Sequence, residues 1–320
     1  MKTKYFFKIL IIFFSVLIAF FLCEVILRFK HAVIPNYDIE MWKYAKELKV
    51  RVSDENIGHV HQKNKSGLFQ GVQIKTNSYG QRDIEYDNVY LRNFDKSFLI
   101  IGNSIPLGWG VQREKTFSYL LNVEAIKENK NWIFINGGIG NYNSLRYVNN
   151  YFENWKDLKF THIIINYFVT DAEILNNNKA NILIEHTHIG VVLWKLYKSL
   201  DPSLKVDNIS NYYKKIYDDK SLGFKVAKEE LKKLIKYCNK NKIQCIIVNT
   251  PDIHQLNPYK LKFINEKIKN FSIESNVQYI DLLPYFENQD EKLFWNKYQD
   301  PHPNEYAHQI ITKKIFKNLK

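Results

Sequence analysis

Cysteine, linker sequence and a concentrated basic arm are all scarce or missing in this chain of 320 residues, which carries three cysteines, twelve glycines and eight prolines. With so few cysteines the fold must rest on an apolar core rather than a disulfide framework. The absence of any Gly/Ser-rich or Pro-rich linker, and of internal repeats, argues against a string of tethered modules. A formal charge of +13 is spread among asparagines and aromatics along the whole length. A nucleic-acid arm would gather that charge in one place, so nucleic acid is not expected as a partner. The basic surface suits anionic membranes or anionic glycans, but a generally lysine-rich composition is the simpler account of it.

Long apolar runs are absent too, with one exception at the start. "MKTKYFFKILIIFFSVLIAFFLCEVILRFK" places Lys2, Lys4 and Lys8 before an apolar run from Ile9 to Cys23, continued past Glu24 by Val25 to Leu27 and counted as a span from Phe6 to Leu27. That length approaches the roughly 20 residues needed to cross a bilayer, and the early lysines favour a cytoplasmic N-terminus. A cleaved signal peptide is the competing reading, but no small-x-small site follows, and Leu22 before Cys23 does not suit lipoprotein cleavage. The expectation is an uncleaved, single-pass anchor over residues 1–30 in the inner (cytoplasmic) membrane, with the rest extracytoplasmic. The other cysteines, Cys238 and Cys245, bracket a turn between a predicted helix and strand. Both a disulfide and two separate thiols fit them.

Residues 31–95 read as a juxtamembrane and lead-in segment without a long periodic element. Beyond it, apolar runs ("SFLIIG", "WIFING", "THIIINYF", "CIIVNTP", "VQYIDLL") alternate with helical patterns, ending in a helix predicted from Pro303 to about Phe316. Continuous apolar strands are buried on both faces, and their alternation with helices predicts a three-layer α/β/α sandwich around a mostly parallel sheet over residues 96–320. An insertion at about 174–221 breaks the rhythm. It contains "HIGVVLWKLYKSL", which fits a helix, and it is read either as a packed appendage or as a lid.

The first strand runs into "GNSIPLGWGV". In an open α/β sheet, residues just past the strand C-termini face the ligand crevice, which makes Ser104 a candidate nucleophile, helix capping being its alternative role. Pro106 stands where the G-x-S-x-G nucleophile elbow needs its second glycine, so this is a different turn. Serine needs a base, and "YQDPHPNEYAHQI" supplies His302, with Asp300 two residues before it placed to hold the imidazole. His186 and His188 in "EHTHIG" lack a matched third ligand and read as surface residues rather than a metal site. "PDIH", Pro251 to His254, reads as the loop after a strand.

Together, "TNSYGQRD", "IIGNSIPLGWGV", "INGGIGNYNS", "NYFVTDAE" and "DPHPNEYAHQI" resemble, in order, the blocks of the SGNH (GDSL-type) hydrolases, in their bacterial membrane-anchored, envelope-glycan branch; the resemblance covers about Thr76 to Lys320. It implies a flavodoxin-like fold, no metal or cofactor, and ester chemistry at Ser104 with His302 as base and Asp300 as its orienter. It further implies an oxyanion hole from the Ser104 N–H, an N–H at Gly140 or Asn141, and a side chain that in the family is asparagine and here is Thr170. Asn103 replaces the family's Asp before the serine. The acidic partner often stands three residues before the histidine, where this chain has Gln299. The function so implied is a serine esterase or O-acyltransferase working on acylated, typically O-acetylated, envelope or exported polysaccharide, with polysaccharide-assembly proteins as partners. The alternatives are a lipid esterase and a non-catalytic glycan-binding component with a degenerate oxyanion hole.

Overall fold

The structure is a computed structural model that describes residues 2–175, 182–201, 209–298 and 300–319. Five parallel strands form its centre: β1 (Lys96–Gly102), β2 (Trp132–Gly138), β3 (His162–Tyr167), β4 (Gln244–Asn249) and β5 (Gln278–Asp281), ordered β2-β1-β3-β4-β5. This is the doubly wound order of flavodoxin-like sheets. The continuous apolar runs of the sequence become strands with two buried faces. Leu99, Ile101, Ile133, Ile135, Ile163, Ile165 and Ile247 point to one side, and Phe98, Ile100, Phe134, Ile164, Ile246 and Val248 to the other.

Helices cover both faces. Naming the helices used below in chain order, α1 is Lys2–Val33, α2 Tyr37–Glu47, α3 Ser104–Leu107, α4 Phe117–Lys127, α5 Ser144–Asn150, α6 His188–Ser199, α7 Leu222–Lys240, α8 Lys262–Glu274 and α9 Glu305–Asn318. Tyr147 and Val148 of α5, Leu231 and Leu234 of α7, and Ile264 and Ile268 of α8 pack on the first face. Phe117 and Leu121 of α4, with Ile311 and Ile315 of α9, pack on the second. The expected three layers are therefore present. Cys238 of α7 and Cys245 of β4 meet inside the first layer with sulfurs 2.7 Å apart, as free thiols.

The segment before the sheet is more ordered than its sequence pattern indicated. Asn36 caps α2 through its side chain, and two short hairpins follow, Lys49–Arg51 with His59–His61 and Ser66–Phe69 with Val72–Lys75. Tyr44, Leu48, Phe69 and Ile74 make a small core with Leu107 and Trp109, which flank the Ser104 turn. No periodicity betrays this, because the apolar residues are few and pack against residues distant in sequence. α1 is long and apolar enough to span a membrane, and the most apolar stretch of it is entirely unburied. The expected helix in the insertion is α6. Residues 176–181 and 202–208 of that insertion, and Gln299, lie outside the described residues.

One boundary is corrected. The last helix begins at Glu305, not Pro303: Asn304 caps it by accepting the Ala307 N–H at 3.0 Å, while Asp300–Pro303 forms a short strand antiparallel to Trp295–Lys297. His302 thus sits on a strand, which holds its backbone more firmly than a loop would.

Candidate active site

Ser104 is placed by a tight transition from strand to helix. β1 ends at Gly102, whose φ of +153° and closeness to β3 demand glycine: a Cβ there would lie 2.8 Å from the Asn166 carbonyl. Asn103 then caps α3, its Oδ1 accepting the Ile105 N–H at 3.0 Å. Its amide faces the carboxyl of Asp171, 3.5 Å away. Asp171 is fully buried and also accepts from the Tyr147 hydroxyl; burial pushes its pKa well above the ordinary value, and its hydrogen bonds offset this only in part. This explains the Asn103 departure physically. An aspartate at 103 would set two buried carboxyls against each other, whereas asparagine caps with its oxygen and offers Asp171 a donor.

The turn is also braced from the lead-in. Arg82, 1% exposed, donates to the carbonyls of Leu107, Gly108 and Val111 at 2.8–2.9 Å and of Gln73 at 3.1 Å. Asp83 accepts the Asn136 N–H at 2.7 Å and pairs with Arg113 at 2.8 Å. The block "TNSYGQRD" is therefore a clamp on the Ser104 turn, a role that its sequence alone does not disclose.

The structure brings the candidate base His302 and its candidate orienter Asp300 together with Ser104. Ser104 Oγ is 2.8 Å from His302 Nε2, and His302 Nδ1 is 2.6 Å from Asp300 Oδ1. Asp300 is 1% exposed and also accepts from the His302 backbone N–H and from Asn296 Nδ2, each at 3.2 Å. Burial acts to raise the Asp300 pKa, but these hydrogen bonds and the imidazole's charge outweigh it and hold the carboxyl below its usual range. An ionised carboxylate only accepts, so Nδ1 carries its hydrogen and Nε2 is free to take the serine proton. The rings of Tyr37 and Trp109 flank the imidazole at centroid distances of 5.8 and 6.4 Å.

The relay opens into a cavity of about 290 Å³. Its walls come from segments that follow the C-termini of β1, β2, β3 and β4, as the crevice rule of open α/β sheets requires. Both Asn141 and Thr170 line it with Ser104. Gly140 does not: its N–H donates to the Tyr44 hydroxyl at 3.0 Å and its carbonyl accepts from Lys49 at 2.6 Å, so that N–H is already engaged away from the cavity. Of the two positions left open by the sequence, Asn141 is the one that lines the cavity, and its backbone lies at φ +64°. Thr170 sits on a one-turn 3-10 helix, Val169–Ala172, directly after β3.

Other lining residues were not anticipated, four of them with chemistry or position of note. Tyr37 and Met41 reach the cavity from α2, and Asp252 and His254 reach it from the "PDIH" loop. His254 Nδ1 hydrogen-bonds Asp252, repeating the Asp-x-His arrangement of Asp300 and His302. Burial acts to lower the His254 pKa, but the Asp252 charge and hydrogen bond prevail and raise it. The shared Asp-x-His spacing is visible in the sequence; only the fold shows that both histidines face one cavity.

Sheet order and layers give this chain a three-layer α/β/α fold with the strand order of flavodoxin-like sheets, and at its strand ends Ser104, His302 and Asp300 come together. Solved structures similar to it include the psychrotrophic esterase EstA from Pseudoalteromonas sp. (15% identity, TM-score 0.46, 70% of this chain and 97% of that one). A putative lipolytic protein of the G-D-S-L family from Desulfitobacterium hafniense is also similar (12%, 0.45, 70% and 99%). So is the acetylxylan esterase Axe2 from Geobacillus stearothermophilus (12%, 0.47, 71% and 95%). Neither a protein-family model nor a curated protein matches the sequence. These are likenesses of shape at low identity, and the chemistry of the site is read from its own residues.

Proposed function

We propose that this chain is a membrane-anchored serine esterase or O-acyltransferase that handles short acyl groups on an exported or cell-envelope glycan. The observation that carries the reading is the unbroken Ser104–His302–Asp300 relay at 2.8 and 2.6 Å, with its carboxylate buried and ionised. In the first half-reaction Ser104 Oγ bonds to the acyl carbon as its proton passes to His302 Nε2. The ester C–O bond then breaks, and the leaving alkoxide takes that proton. In the second half-reaction water or a sugar hydroxyl gives its proton to Nε2 as its oxygen bonds to the acyl carbon; the bond from that carbon to Ser104 Oγ then breaks and Oγ takes the proton back from Nε2, so hydrolysis and transfer differ only in the acceptor. The N–H groups of Ser104 and Asn141 and the Thr170 hydroxyl are the donors assigned to the oxyanion.

A cavity of about 290 Å³ lies at the low end of small-ligand pockets, roughly 300–1,000 Å³. It favours an acetyl group with part of a sugar over a long lipid chain. The lysine-flanked α1 supports placement of the domain on the outer face of the cytoplasmic membrane, where polysaccharide-assembly proteins would present the glycan. The non-catalytic reading is disfavoured by the intact relay. The test is mass-spectrometric detection of covalent fluorophosphonate labelling of the full chain in detergent. Label on the Ser104 peptide, absent from Ser104→Ala, is expected; an unlabelled wild-type chain would overturn the reading.

A further inference from the structure

α6 runs from His188 to Ser199 and begins against α1. Glu24 of α1 accepts the backbone N–H groups of His188 and Ile189, both at 3.0 Å, and pairs with Arg28 at 2.8 Å. Arg28 in turn donates to the His186 carbonyl at 3.3 Å. The start of α6 is thereby fixed to the last turns of the apolar segment of α1, the level at which a span running from Phe6 to Leu27 would leave the bilayer.

From there α6 shows two unlike sides. Val191 is buried against Ile39 of α2, and Lys195 pairs with Asp38 on the same helix. Every residue from Val192 to Leu200 is exposed, yet most of them are apolar. Val192, Leu193, Leu196, Tyr197 and Leu200 recur at helical spacing, and at about 3.6 residues per turn they form a continuous arc opposite Val191. Leu193, Leu196, Tyr197 and Leu200 are 52, 59, 67 and 71% exposed. Lys195 and Lys198 lie on the side toward the body of the protein, outside this arc. An unbroken apolar face of this kind, left bare in water, marks a surface that something covers. Here it starts beside a segment that is itself suited to lipid.

We propose that α6 is a membrane-surface helix, lying in the headgroup region of the bilayer that α1 crosses, with Leu193, Leu196, Tyr197 and Leu200 turned into the acyl boundary. A short helix with an apolar arc, lysines beside it and aromatic residues at its margin has the composition that settles at this depth. Two attachments, one spanning and one lying flat, fix the orientation of the domain where a single helix would leave it free to pivot. The effect reaches the cavity through α2, which packs on α6 with one side and contributes Tyr37 and Met41 to the cavity wall with another. The mouth of the site is then held at a set height above the membrane. This inference rests on the reading of α1 as an anchor.

The experiment uses the full chain in nanodiscs of phosphatidylcholine and phosphatidylglycerol, with brominated phosphatidylcholine as the quencher of tryptophan fluorescence. Trp194, 40% exposed on α6, is the reporter, and Trp194→Phe keeps an aromatic side chain while removing the contribution of this one of the six tryptophans. Lipid brominated near the headgroup end of the acyl chain is expected to quench wild type at least twofold more than Trp194→Phe. Equal quenching of the two, with the chain still in the membrane fraction after an alkaline carbonate wash, would overturn the inference and leave the anchor standing. Quenching of the Trp194 signal only by lipid brominated near the bilayer centre would overturn the surface placement. Release of the chain by the carbonate wash would overturn the anchor reading and this inference together.

Discussion

Replacing Asp300 with asparagine tests the relay at its most buried point. The carboxylate accepts three hydrogen bonds, from His302 Nδ1 at 2.6 Å and from the His302 N–H and Asn296 Nδ2 at 3.2 Å. An amide has one oxygen to offer, so two faults compete. With its oxygen toward His302, the new amide nitrogen meets the Asn296 amide nitrogen, donor against donor. With its nitrogen toward His302, Nδ1 must become the acceptor, Nε2 carries the hydrogen, and Ser104 loses its base. Either way the imidazolium formed in the transition state loses its counter-charge. At a charge separation of ~4 Å and an effective dielectric of ~20 that attraction is about 4 kcal/mol, or roughly 10³-fold in rate. The tautomer fault adds to it, so kcat/KM for p-nitrophenyl acetate should fall by about 10³–10⁴.

The same carboxyl makes a stability prediction of defined sign. Its folded pKa is lowered, so its ionised form stabilises the fold at pH values above the ordinary Asp range, near ~3.9, and that contribution fades as pH falls through the lower folded value. Asp300→Asn should therefore melt below wild type at pH 7, and the gap should narrow in acid. A variant that keeps activity within tenfold of wild type while its melting temperature at pH 7 is unchanged would refute the orienting role of Asp300.

Three further outcomes are expected. Thr170→Val should lower kcat/KM by up to the roughly 10²–10³-fold attributed to one oxyanion donor with little change in the urea midpoint, whereas Thr170→Asn should preserve or raise it; two kinetically silent variants would leave the oxyanion to backbone N–H groups. Arg82→Ala strips a charged donor from four carbonyls, three of them in the Ser104 turn, and at about 1.5–3 kcal/mol for a hydrogen bond to a charged group it should cost at least ~3 kcal/mol in urea unfolding. Arg82→Lys should not restore that loss, because a point charge cannot span the carbonyls; a loss under ~1 kcal/mol would contradict the clamp. Chain exported to an oxidising compartment should carry Cys238 and Cys245 as a disulfide, given sulfurs 2.7 Å apart, so that in denaturant both alkylate only after reduction; alkylation without reductant would show the thiols stay free.

Much of the site is legible in one dimension because its parts are local. Gly102 to Ser104 is a single turn, and Asp300 and His302 are two residues apart on one extended segment, so residue type and spacing already state the chemistry. The strands are legible for a related reason: burial on both faces requires nearly every residue to be apolar, and that pattern survives whatever the partners are. Their order in the sheet, β2-β1-β3-β4-β5, was implied only through the family resemblance.

What the tertiary structure alone decided depends on contacts between distant residues. The choice of Asn141 over Gly140 rests on Tyr44, 96 positions away, whose hydroxyl occupies the Gly140 N–H. The brace on the Ser104 turn comes from Arg82, and the partner that suits an asparagine at 103 is Asp171, buried in the turn after β3. Residues 37–75 carry no periodic signal, yet they fold because Leu107 and Trp109 complete their small core. The apolar arc of α6 could be read from its sequence as a buried face, which is how most such faces end. Only its docking through Val191, with the arc left bare beside α1, shows that the apolar side points away from the protein: periodicity tells which residues share a face, and packing tells what that face meets.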